Sequence, residues 1–160
     1  MEKISVETVP VATDEVRDLI DELDRTLAME YLPEQRHGLA LDAIFQPHVR
    51  FFIARLGGVA MGCGGVALFA RFGEVKRMYV RAAARGRGIG RALLSRIELE
   101  TSIGGLDVLR LETGERQVAA MRLYERAGFR RCDAFGVYAS LEPESIATSV
   151  FLEKRLDVRR

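Results

Sequence analysis

The segment from residue 74 to residue 97 constrains the fold most, because it predicts a strand, a glycine loop and a helix in direct succession. Glu74–Val80 has the apolar and β-branched composition of a strand. The loop, Arg85–Gly90, carries glycine at every second position. Glycine has no Cβ, so the backbone N–H groups of such a loop can converge on an anion at the N-terminus of a helix. The helix that follows has an apolar stripe made of Ala92, Leu93, Leu94 and Ile97.

The spacing of these glycines excludes two common nucleotide-binding motifs. The dinucleotide fingerprint G-x-G-x-x-G, counted from Gly86, requires glycine at position 91, where the chain has Arg91. The Gly-Lys-Ser or Gly-Lys-Thr of a P-loop occurs nowhere in the chain. The loop therefore predicts a phosphate site of another kind.

The other elements intersperse strands with helices, which favours a mixed α/β sheet. An amphipathic helix is predicted after Thr13, a short one over Leu39–Phe45, and a further one over Val118–Ala127. The Gly57-Gly58 pair supplies the positive φ of a tight hairpin turn. The predicted strands are Ile4–Val9, Val49–Arg55, Val59–Phe69, Glu74–Val80, Val108–Thr113, Phe129–Phe135 and Ser149–Leu156.

Length and composition predict one ordinary domain over residues 1–160. The chain has 24 Lys and Arg against 23 Asp and Glu, so its net charge of +1 predicts no general binding to nucleic acid or to a membrane. Cys63 and Cys132 form no CxxC and indicate neither a zinc site nor a disulfide framework. Val59–Ala70 is too short for a membrane span, and the N-terminus lacks the apolar region of a signal peptide. A cytoplasmic protein is expected.

Two motifs give the chain a family resemblance. Arg85, Gly88 and Gly90 match the pattern R/Q-x-x-G-x-G/A, and the apolar triplet Met78-Tyr79-Val80 precedes them. Further on, Ala120–Phe129 matches A-x-x-L-Y-x-x-x-G-F. The pair resembles the acyl-CoA site of the GCN5-related N-acetyltransferase (GNAT) superfamily. The resemblance implies an α/β (α+β) single-domain fold, with a mixed, mostly antiparallel sheet of about six to seven strands flanked by about four helices.

The resemblance implies acetyl-CoA as cosubstrate. The strand before the loop would offer backbone groups to the pantetheine arm, and the loop N–H groups and arginines would bind the pyrophosphate. Gln117 stands where many family members have Asn, which is a departure from the pattern. The implied cofactor-binding residues are Met78, Tyr79, Val80, Arg85, Gly86, Arg87, Gly88, Ile89, Gly90, Arg91, Gln117 and Tyr124.

Acyl transfer from a thioester to an amine also needs an acid and a base. Tyr124 resembles the family's general acid, because a phenol with a pKa of about 10 can protonate the CoA sulfur; the alternative is a core tyrosine with a satisfied hydroxyl. For the base, Glu74 leads, because its offset from Arg85 resembles that of the family's catalytic glutamate. Glu112 is the second candidate, and either could act through a water.

The activity implied is an acyl-CoA-dependent N-acyltransferase that passes acetyl to a primary amine of a small molecule or peptide by direct attack. The alternative is a non-catalytic acyl-CoA sensor. The segments Arg25–Pro47 and Ala139–Thr148 are expected to determine the acceptor, and a homodimer is compatible with the resemblance. His37 and His48 have no partners at metal-ligand spacing, so no metal is expected.

Overall fold

A computed structural model describes residues 2–157. The strands form one seven-stranded sheet in the order β1-β2-β3-β4-β5-β7-β6. The strands are β1 (Ile4–Thr8), β2 (Val49–Leu56), β3 (Val59–Leu68), β4 (Gly73–Val80), β5 (Val108–Gly114), β6 (Arg130–Arg131) and β7 (Ser149–Arg155). The α-helices of this part of the chain are α1 (Asp14–Ala28), α2 (Ile89–Ile103) and α3 (Val118–Arg126).

Every strand pair is antiparallel except β4 with β5, which confirms the predicted mixed, mostly antiparallel sheet. The β2–β3 hairpin turns at Gly57 and Gly58, whose φ angles are +58° and +84°. Helices cover both faces of the sheet, so β2 is buried on both sides. Phe51 packs with the α1 residues, and its neighbour Phe52 packs on the opposite face with the α2 residues.

Two predicted elements are wrong in extent, and three α-helices are described where about four were expected. The segment Leu39–Phe45 contains only a 3₁₀ turn over Ala43–Phe45, because one buried side chain, Ile44, anchors it. The predicted strand Phe129–Phe135 shrinks to two residues. Phe135 turns into an aromatic cluster with Phe72, Tyr138 and Phe151, and the positive φ of Gly136 ends the extended backbone.

The parallel pair β4 and β5 separates soon after it begins. The two strands pair only at Gly73 with Leu109 and Glu74 with Arg110. Beyond Glu74, β4 follows β3 while β5 follows β7, so a wedge opens between them.

A β-bulge lies on the β4 side of this wedge. Arg77 and Met78 together face Gly64, and Arg77 has a φ of +54°. A Cβ at position 64 would collide with the sulfur of Met78, so a larger residue there would require the Met78 side chain to move.

Candidate active site

The glycine loop reaches α2 through a 3₁₀ turn over Ala82–Ala84. Gly86 and Gly88 both have left-handed backbones, with φ of +76° and +90°, and Gly88 is the N-cap of α2. The first N–H groups of an α-helix have no acceptor within the helix, and its dipole favours an anion there. The loop therefore has the geometry of the predicted phosphate site.

The side chains of the loop are partly exposed and partly packed against the core. Arg85, Arg87 and Arg91 are exposed at the mouth of the loop, and Arg87 makes only an exposed ion pair with Glu2 at 3.1 Å. Gly90 has a packing role as well, because a Cβ there would lie 2.8 Å from a methyl of Leu123 on α3. Ile89 is buried in the core, so only its backbone faces the loop.

The triplet Met78–Val80 forms the end of β4. Its edge toward β3 is paired, with Tyr79 opposite Cys63 and Val80 opposite Gly62. Its other edge faces the wedge, where no strand among residues 2–157 pairs with it. The Tyr79 hydroxyl points away and donates to Glu22 on α1 at 3.1 Å. The triplet can therefore offer its backbone, as the resemblance implied, to an extended ligand.

A cavity of about 110 Å³ lies in the wedge between β4 and β5. All three predicted catalytic residues, Glu74, Glu112 and Tyr124, line it, although they come from two strands and a helix. Part of the predicted acceptor segment, residues 31 and 35–38, lines it too. The wedge therefore brings together three predicted catalytic residues that span 50 positions of the chain, and a segment that lies still further away in sequence.

Glu74 is buried and held by two donors. Its Oε2 atom accepts a hydrogen bond from the Tyr138 hydroxyl at 2.7 Å and lies 2.7 Å from the Lys76 ammonium. Lys76 also donates to the Tyr138 hydroxyl at 2.9 Å. Burial, and then the charge of Glu74, raises the pKa of Tyr138. Lys76 is not among the site residues predicted from the sequence. Its spacing of two from Glu74 places both side chains on one face of a strand, and this spacing was the only sequence signal for their pairing.

Glu112 has a different environment. The Ser149 hydroxyl donates to its Oε2 atom at 2.6 Å. Burial raises the pKa of Glu112, and the Ser149 bond and the charges of His37 and Lys76 oppose that rise only in part. A carboxyl whose pKa is raised is closer to the range in which general bases work at neutral pH.

Tyr124 lies on the inner face of α3, edge-on to Phe129 with 5.7 Å between ring centroids. Burial, followed by the charge of Glu112, raises its pKa, so the phenol stays protonated. No hydrogen bond to its hydroxyl is found within residues 2–157, and the residue lines the cavity.

Gln117, the departure from the family pattern, is tied to the segment after α1. Its side-chain amide donates to Glu30 at 3.0 Å, and the Tyr31 hydroxyl accepts from the Arg116 backbone at 2.9 Å. These contacts hold the segment across the end of β5. A cofactor contact from the Gln117 amide would have to share or replace the Glu30 bond.

The two histidines have partners other than a metal site. His37 bonds to the Ser145 carbonyl at 2.7 Å, and His48 packs against Phe69. Within residues 2–157, no three His, Cys, Asp or Glu side chains are grouped as metal ligands.

Burial raises the pKa of the Cys63 thiol to about 12, so it behaves as a small apolar residue. No helix in this range is long and apolar enough to cross a membrane.

Comparison with known proteins identifies the family. Residues 47–131, which include the wedge, the loop and α3, match the family model of the acetyltransferase (GNAT) domain. The chain belongs to the GNAT acetyltransferase family. An IAA acetyltransferase of Azospirillum brasilense is 44% identical over 145 residues, which cover 89% of this chain and 92% of that protein.

Solved structures of GNAT proteins share the fold. A Klebsiella pneumoniae protein assigned to the acyl-CoA N-acyltransferases is 34% identical, with a TM-score of 0.74 over 96% of this chain and 97% of its own. The structure of yncA from Salmonella typhimurium with its cofactor acetyl-CoA has a TM-score of 0.64 over 98% of this chain and 95% of that chain, at 19% identity. The chain is an N-acetyltransferase, as the two motifs implied. Its fold is shared with yncA, whose structure contains acetyl-CoA as that protein's cofactor.

Proposed function

We propose that this GNAT protein transfers acetyl from acetyl-CoA to a primary amine of a small molecule, or of a peptide end, by direct attack. The observation that carries the proposal is the wedge between β4 and β5. It places a buried phenol and two carboxylates around one cavity, next to a β4 edge and a glycine loop suited to the two parts of CoA. The cavity of about 110 Å³ favours a small acceptor group.

We assign the base role to Glu112 rather than to Glu74. The offset from Arg85 favours Glu74, but its Oε2 atom is already engaged by Lys76 and Tyr138, and the side chain is only 4% exposed. Glu112 has one neutral donor, Ser149, and burial raises its pKa. A base that is poorly neutralised by its surroundings takes up a proton more readily. Glu74, Lys76 and Tyr138 would then fix the floor of the cavity.

The proton transfers balance with these two residues. Glu112, directly or through a water, accepts one proton of the acceptor ammonium, which leaves a neutral amine to attack the thioester carbonyl carbon. The new C–N bond forms as the C–S bond breaks, and Tyr124 gives its proton to the departing sulfur. The nitrogen loses its second proton to solvent as the amide forms, so the product amide is neutral. Glu112 then releases the first proton to solvent, and Tyr124 is reprotonated from solvent.

The alternative is a non-catalytic acyl-CoA sensor, and turnover distinguishes the two. The test is release of free CoA thiol from acetyl-CoA with a panel of primary amines, together with IAA because a relative carries that name. The proposal predicts amine-dependent thiol release and an acetylated amine detected by mass spectrometry. Tight acetyl-CoA binding with no amine-dependent release across the panel would favour the sensor.

A further inference from the structure

Among residues 2–157, the charges that line the cavity leave one cation, Arg36, without an acidic partner. The ionised side chains of the cavity are the carboxylates Glu74 and Glu112 and the cations Arg36, Lys76 and Arg77. Lys76 pairs with Glu74, and Arg77 pairs with Asp24 on α1, outside the cavity. Within residues 2–157, Arg36 has no acidic partner, and its buried Nε atom has no hydrogen-bond acceptor. A buried guanidinium N–H without an acceptor is costly, so a ligand that supplies one gains affinity.

The backbone near Arg36 leaves room for a second arginine, Arg77. Arg77 lies in the β4 bulge with a φ of +54°, a left-handed conformation that is unfavourable for a non-glycine residue. Its guanidinium fills the space where a side chain at position 38 would lie, so Gly38 admits it beside the Arg36 segment. The Arg77 Nε atom is also buried without an acceptor. Such strain is characteristic of functional sites.

We propose that the acceptor carries a carboxylate as well as its amine, and that Arg36 binds this carboxylate. This inference rests on the proposed function, because it assigns the opposite end of the same acceptor. The ammonium end would lie toward Glu112, and the carboxylate end would accept from Arg36 in the paired geometry that guanidinium offers. One unpaired positive charge matches a carboxylate better than a doubly charged phosphate. The substrate class is therefore a small amino acid.

The experiment compares amino acids with their carboxamides, namely glycine with glycinamide and β-alanine with β-alaninamide. Each pair keeps the amine and removes the negative charge. Thiol release is followed with saturating acetyl-CoA in the parent and in Arg36→Gln. We expect Arg36→Gln to raise KM for the amino acids by about 10–100-fold, the usual worth of a charged hydrogen bond. The KM values for the carboxamides should change less than threefold in the same variant. The ratio of variant to parent cancels the pKa of each free amine.

Two controls separate a binding role from a structural one. Arg17→Gln removes an exposed arginine of α1 outside the cavity and should leave all constants unchanged. Arg36→Lys keeps the positive charge but lacks the paired N–H donors of guanidinium. Its KM for the amino acids should lie between those of the parent and Arg36→Gln, with kcat unaltered. Calorimetry of N-acetylglycine binding to the CoA complex gives a readout that needs no turnover, and the Arg36→Gln variant should bind about tenfold or more weakly.

The outcomes distinguish the inference from the function. Equal losses for amino acids and carboxamides, or equal N-acetylglycine affinity in Arg36→Gln and the parent, would overturn the carboxylate site while leaving the acetyltransferase intact. Faster turnover of aminomethylphosphonate than of glycine would also overturn it. Failure of the proposed function would look different, since no amine of any charge would release thiol.

Discussion

The glycine loop offers a sharp test of cofactor binding, because α2 has a left-handed glycine at each end. Gly88 at the N-terminus has a φ of +90°, and Gly105 just past the C-terminus has a φ of +80°. With 15 residues in α2, the two lie roughly 22 Å or more apart along the helix. Alanine at either position would have the same free-energy cost for its left-handed backbone, but only position 88 lies in the predicted phosphate site.

The size of the penalty follows from the backbone. A left-handed alanine costs about 1–2 kcal/mol, which lowers Tm by about 2–8 °C in a domain of this size. Steric clashes within the protein add little, because a Cβ at position 88 lies 3.4 Å from a methyl of Ile4 and one at position 105 meets nothing within 4 Å. We therefore expect similar Tm losses for Gly88→Ala and Gly105→Ala in the absence of ligand.

Acetyl-CoA should separate the two variants. We expect Gly105→Ala to bind it with the parent's affinity, and Gly88→Ala to bind at least tenfold more weakly, because the methyl group and the altered backbone disturb the N–H groups at the start of α2. The assay is calorimetric titration, supported by the Tm shift that saturating acetyl-CoA produces. Equal affinities in the two variants, with both folded, would refute the assignment of the loop.

Two further predictions concern the cavity. Tyr124→Phe should retain acetyl-CoA affinity and lower kcat by about 10²–10⁴-fold, the usual contribution of a general acid. Steady-state kinetics with a good amine substrate would measure this loss. A loss of kcat under twofold would return Tyr124 to a packing role. Glu112→Gln should raise Tm above the parent's at pH 7–8, because burial raises the pKa of Glu112 and its ionised form destabilises the fold. That gain should shrink as the pH falls toward the ordinary carboxyl pKa of 4.5, which thermal melts across pH would show, and a pH-independent difference would contradict the assigned cause.

Local signals account for the parts of the fold that the sequence predicted. The hairpin at Gly57 and Gly58 and the loop at Gly86 and Gly88 depend on positive φ angles, which glycine announces within a few residues. The amphipathic stripe of α1 likewise needs only its own segment. Thr13 caps it by accepting a hydrogen bond from the backbone N–H of Val16, which agrees with the predicted start of the helix after Thr13.

The errors and omissions come from contacts between distant segments. The predicted strand ending at Phe135 breaks because that ring packs on Phe151 and Phe72, which no local pattern announces. The Glu74–Tyr138 hydrogen bond joins residues 64 positions apart. It distinguishes the surroundings of Glu74 from those of Glu112, a difference that no local sequence pattern predicts.

The pH dependence of kcat/KM in Glu112→Gln and Glu74→Gln tests the central claim most directly. An alkylammonium with a pKa of about 10.4 is almost wholly protonated at pH 7, so a base matters most at low pH and less as free amine accumulates. With acetyl-CoA saturating and rates referred to folded protein, Glu112→Gln should lose about 10²-fold or more at pH 7 and recover toward the parent at alkaline pH. The profile of kcat/KM against pH for Glu74→Gln should run parallel to that of the parent. A parallel profile for Glu112→Gln, with the low-pH loss appearing in Glu74→Gln, would contradict the account.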